Sequence, residues 1–70
     1  MRIDGSKLNY HRERKLMTVR ELAKACGMSS ATWWRASNGE NVRVTSVRRL
    51  CEVLGIKVED IELKEEENDR

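Results

Sequence analysis

Seventy residues make one domain, and a chain of this size buries only about 60% of the surface its unfolded form exposes, which leaves no room for a large substrate cavity or a dinucleotide-binding unit. With 37% of residues charged and no apolar run near the ~20 residues of a membrane helix, and no basic start followed by an apolar core, the chain is expected to be soluble and cytoplasmic. The net charge of +2 hides a division: residues 1–57 carry +7 and residues 58–70 carry −5, so the body suits a polyanionic partner.

The apolar residues recur at helical spacing, and no stretch alternates as a strand would. A first helix is expected from about Ser6, as its cap, to Lys15, with Leu8 and Leu16 on one face through Arg12 and Tyr10 helping to cover it. His11 reads as a partly buried, hydrogen-bonded side chain, since it has no acid–base partner nearby. The second helix is the best marked. Thr18-Val19-Arg20-Glu21 matches a capping box, Met17 and Leu22 a hydrophobic staple, and Val19, Leu22, Ala23 and Cys26 an inward stripe. Gly27 stops the helix and Ser29 starts another within a few residues, so the two must cross at a large angle.

The third helix is expected over Ser30–Ser37, with Thr32, Trp33 and Ala36 facing inward and Ala31, Trp34, Arg35 and Asn38 on the opposite face, ended by Asn38-Gly39. A loop over Glu40–Val44 leads to a fourth helix capped by Thr45 or Ser46, with Val47, Leu50, Cys51 and Leu54 inward and Gly55 at its end. Val58 and Ile61 suggest a short fifth helix of one or two turns, and residues 64–70 an acidic, frayed tail beyond a domain over 1–63. Cys26 and Cys51 lie on apolar stripes without zinc-site spacing and read as small core residues.

The unit Thr18–Gly39 explains itself mechanically. Ala23 is small where the next helix crosses, Gly27 makes the bend, and Leu22, Met28, Trp33 and Ala36 lock the angle. The third helix is thereby held out with one face free, in a form that fits a B-DNA major groove about 12 Å wide.

These residues resemble the helix-turn-helix of the Cro/XRE phage-repressor family. Val53-Leu54-Gly55-Ile56-Lys57-Val58-Glu59-Asp60-Ile61 is similar to that family's closing segment, and the resemblance covers about residues 6–63. It implies an all-α, compact five-helix repressor-like domain whose third helix reads DNA. Three positions depart from the family pattern. Val19 stands where many members have a phosphate-clamping Gln, and Trp33 stands where an Ile or Val is usual. Ser37 stands where many members have a Glu paired to the arginine matching Arg12, which leaves Arg12 freer for solvent or phosphate.

By position the resemblance maps base reading onto Ser30, Ala31 and Arg35, the face that the helical pattern also exposes. Arg35 suits a bidentate bond to guanine, its alternative being a phosphate contact or a solvated arginine. Ser30 suits a base edge or a phosphate, and Ala31 a thymine methyl. Trp34 keeps three readings: a DNA contact to sugar or thymine methyl, a tuck against the Glu40–Val44 loop, or an anchor for a protein partner. Phosphates are expected at the starts of helices two to four, with Arg20, Ser29, Asn38, Arg43 and Arg48 as side chains. For Arg48 and Arg49 a solvated face is the competing reading.

The expected partner is double-stranded DNA, bound by a homodimer at least on the duplex, with no membrane and no small-molecule substrate. Neither cofactor nor metal is expected, and no enzyme: the chain has no Cys–His pair at useful spacing, no carboxylate pair bracketing a cleft and no Gly-rich phosphate loop. The competing function is a protein-interaction module of the same shape.

Overall fold

The computed structural model describes residues 1–63, and the expected acidic tail at 64–70 lies outside them. Among the described residues there are four α-helices and one 3-10 turn: α1 (Gly5–Arg14), α2 (Val19–Ala25), α3 (Ser30–Ser37), α4 (Val44–Leu54) and the turn Val58–Asp60. The core holds Leu8, Leu22, Trp33, Ala36, Val47, Leu50, Leu54 and Ile61, together with Ile3 from the segment preceding α1. No described helix is long and apolar enough to cross a membrane.

Each helix ends the same way. Its last turn closes on a residue with positive φ, and the amide after that residue donates five positions back: Met17 to Arg12, Met28 to Ala23, Glu40 to Arg35 and Ile56 to Cys51. Three of the left-handed residues are Gly27, Gly39 and Gly55, and the fourth is Leu16 at φ 57°. This C-terminal motif consumes carbonyls the helix cannot satisfy by itself.

Leu16 corrects the expected inward face of α1. The helix stops at Arg14, the chain reverses at Leu16, and its side chain is left 91% exposed. Arg12 helps to hold this reversal: Nη1 donates to the Met17 carbonyl at 2.7 Å and Nε to Asn9 Oδ1 at 3.2 Å. Arg12 is therefore occupied within the fold and is not freed for phosphate. Tyr10 is exposed; its ring meets His11 edge-on, with the Arg14 guanidinium 5.7 Å from its centroid.

The start of α1 also moves. Asp4, not Ser6, is the N-cap, its carboxylate accepting from the amides of Ser6 and Lys7. Asp4 is fixed there because its own amide donates to the Ile61 carbonyl, while Leu63 donates to the Arg2 carbonyl and Ile3 forms an antiparallel bridge with Glu62. This pairing explains why the expected fifth helix is only a 3-10 turn of three residues. Ile61 must enter the core and its neighbours must extend to meet residues 2–4.

The same leading segment shapes the loop after α3. The Met1 ammonium donates to the Val42 carbonyl and Asn41 Oδ1, the Val42 amide donates back to the Met1 carbonyl, and Arg2 Nε donates to the Gly39 carbonyl. With Val42 pinned, the chain enters α4 at once. Arg43 is the N-cap, without a side-chain cap, and neither Thr45 nor Ser46 caps as expected. Behind α3, a Cβ on Gly5 would collide with the Ser37 carbonyl oxygen, so α1 and α3 meet backbone to backbone.

Candidate nucleic-acid interface

The α2–bend–α3 unit is built from local bonds that the sequence dictates. Thr18 Oγ1 accepts from the Glu21 amide at 3.1 Å, and Glu21 returns a carboxylate oxygen to the Thr18 amide at 2.8 Å. Ser29 Oγ accepts from the Thr32 amide and donates to Thr32 Oγ1. Between these caps, Gly27 supplies the left-handed bend at φ 67°. Leu22, Trp33 and Ala36 are buried at the crossing. Val19 departs from the expected inward stripe: as the first residue of α2 it sits beyond the crossing point and stays 39% exposed.

The exposed surface of α3 is flanked by two clefts, both with basic side chains, the second more apolar than the first. On one side Ser29, Thr32 and Arg35 face Asn41, Arg43 and Ser46, so this cleft is polar and carries two guanidiniums. Thr32, expected inward, is half-buried and forms part of this wall. On the other side Trp34 and Ser30 face Val19, Arg20 and Lys24 over a floor of Ala23 and Met28. Met28, half-buried in the bend, contributes to both clefts.

Ser30, Ala31, Trp34 and Arg35 are all exposed on α3. They divide between the clefts, with Ser30 and Trp34 on the apolar side and Arg35 on the basic side. Trp34 is 63% exposed, while its neighbour Trp33 is 8% exposed, as the helical pattern expects. Of the candidate phosphate residues, Arg43 joins Arg35, and Arg20 joins Trp34. Arg48 is exposed on α4. Two candidates already have internal bonds: Ser29 in its cap, and Asn38, whose Nδ2 donates to the Trp34 carbonyl at 2.8 Å.

Two further residues belong to this surface. Val19 forms a wall of the apolar cleft, and the signal that could have found it is its position at the first turn, where an inward stripe has nothing yet to cover. Arg49 is the other: one of its guanidinium nitrogens would lie 3.8 Å from a Cβ placed on Gly27, so its head reaches the bend. Its position one turn after Ser46 was legible, although the packing of α4 against α2 was not.

The two thiols are quiet. Burial pushes the Cys26 thiol up, partly opposed by the Arg49 charge, and burial raises Cys51 too, reinforced by the negative charges of Asp60, Glu52 and Glu59. Both are free, and raised thiols are poor nucleophiles near neutrality.

A family model described as a helix-turn-helix domain matches residues 5–63. The chain belongs to the helix-turn-helix domain family. The matched span takes in all four described helices and the 3-10 turn, and leaves out residues 1–4 and 64–70. Among solved structures, the helix-turn-helix chain is similar to the transcriptional regulator VanUg in its crystal form II. The two are 32% identical with a TM-score of 0.76, over 86% of this chain and 80% of that one. No curated protein matches the sequence.

Proposed function

We propose that this helix-turn-helix chain is a sequence-specific, double-stranded-DNA-binding transcriptional regulator, a repressor of the Cro/XRE type, that inserts α3 into the major groove. The observation that carries the reading is the convergence of Arg35, Arg43, Ser29, Thr32 and Ser46 along one flank of a helix whose opposite face is buried in the core. A guanidinium on the helix suits a guanine edge, and one at the adjoining loop suits the phosphate beside it. The family match and the likeness to VanUg support the same assignment.

In this reading Ser30, Ala31, Trp34 and Arg35 meet bases, and Arg20, Ser29, Asn38, Arg43 and Arg48 meet phosphates. Arg49 adds to the positive field at the bend. The protein binds as a homodimer on DNA, over half-sites roughly 34 Å apart.

The test is selection of a bound duplex from a random pool, followed by anisotropy titrations at several salt concentrations. Binding should be selective and should fall steeply as salt rises. Replacing Arg35 and Arg43 together by Ala should weaken it by about 30-fold or more, since one bidentate base contact alone is worth about 1–3 kcal/mol. Undiminished selective binding by that double variant overturns the reading. It would favour the second one, a protein-interaction module anchored on the exposed Trp34.

A further inference from the structure

We infer that the cleft between α2 and α3, walled by Val19 and Trp34, receives the 5-methyl group of a thymine and sets the base preference at one position of each half-site. The inference deepens the DNA-binding reading and rests on it.

Val19 and Trp34 are the largest exposed apolar side chains of the α2–α3 unit, and they stand on opposite walls of one concavity. Single exposed apolar residues are ordinary, but a facing pair over an apolar floor is a preformed site. Its more buried lining is Ala23, Met28 and Trp33, and Arg20 and Lys24 line it too. The occupant this combination suits is apolar where it enters and anionic at its margins.

A duplex edge has that pattern. Phosphates run along both sides of the major groove, and the thymine methyl is the one apolar group that the four bases present within it. Ser30, the first residue of α3, shares the cleft, so the pocket is continuous with the end of α3 proposed to lie against the bases. The other flank presents Val42 and Met28 among Ser29, Thr32, Asn41 and Ser46 and has no aromatic side chain, so the larger apolar surface lies on the Trp34 side. Val19 gains a role here: where a polar residue would bond a phosphate, a valine lines a pocket.

Deoxyuridine pairs as thymine does and lacks only that methyl. Each thymine of the selected duplex is replaced singly by deoxyuridine, and binding of the full chain is titrated by anisotropy. At one position per half-site the affinity should fall about three- to fivefold, the size expected for one buried methyl. Trp34→Ala should still bind the duplex but no longer distinguish thymine from deoxyuridine there, while Trp34→Phe keeps part of the distinction. Tight, selective binding that is indifferent to every deoxyuridine overturns the inference and leaves the DNA-binding reading standing. So does a Trp34→Ala variant with unchanged methyl dependence. Absence of selective duplex binding altogether overturns both.

Discussion

Trp33 and Trp34 are adjacent in the chain and opposite in environment, and they divide α3 into a back and a front. The back packs Trp33 and Ala36 into the core and lays the Ser37 backbone on Gly5. The front leaves Ala31, Trp34 and Arg35 to solvent between two clefts. Eight residues thus carry both the attachment of the helix and its recognition surface. A packed back is what allows the exposed front to hold a fixed register against a ligand, because recognition groups must be placed to within fractions of an ångström.

The strongest way to break this division is Trp33→Ala. Removing a buried indole should cost about 3–5 kcal/mol, enough to unfold most of so small a domain, and thermal melts followed by circular dichroism will show it. Trp34→Ala in the same assay should move stability by less than about 0.5 kcal/mol. Equal losses from the two substitutions would mean that front and back are not separate. Gly5→Ala presses on the back from behind. With a backbone carbonyl as the obstacle, about 1–3 kcal/mol of destabilisation is expected, and duplex affinity should drop only as far as the folded fraction does.

One further substitution should have the opposite sign. Leu16 occupies a left-handed position at φ 57° with its side chain in water, where a non-glycine residue costs about 1–2 kcal/mol. Leu16→Gly removes that strain but loosens the unfolded chain, for a net gain of about 0.5–1 kcal/mol in urea titrations. Duplex affinity should stay unchanged, since Leu16 lines neither cleft of α3.

Most of the α2–α3 unit was legible because its determinants are local. Thr18 and Glu21 form the capping box within four residues, Gly27 bends the chain, and Ser29 restarts it, so cap and bend follow from spacing alone, whereas Val19 and Thr32 depart from the expected inward face. The errors cluster where distant segments meet. Asp4 displaced Ser6 as the cap, and Arg43 displaced Thr45 and Ser46, because the leading residues are tied to Ile61 and Val42. Ile3 is fully buried, yet no periodicity marks it, since it stands alone between polar neighbours. Leu16 looked inward by helical spacing, and the Arg12 guanidinium bound to the Met17 carbonyl turned the chain first. At the interface, exposure of the α3 residues was readable, but their partition into a basic and an apolar side was not. That partition depends on which residues of α2 and of the loop before α4 stand opposite them.

The bridge between Ile3 and Glu62 joins segments separated by almost the whole described chain. Closing so long a loop costs entropy that only contacts distant in sequence repay, so we expect this contact to form last during folding and to open first in the native state. Slow-exchanging amides should accordingly be found at Leu22 and Leu50, and fast ones at Asp4 and Leu63. Since those leading residues also hold Val42, beside Arg43, each transient opening would release the basic loop from its station while leaving α2 and α3 in place. Residence time on a duplex would then be governed partly by a latch at the end of α3, where Ile3 and Leu63 lie against Gly39.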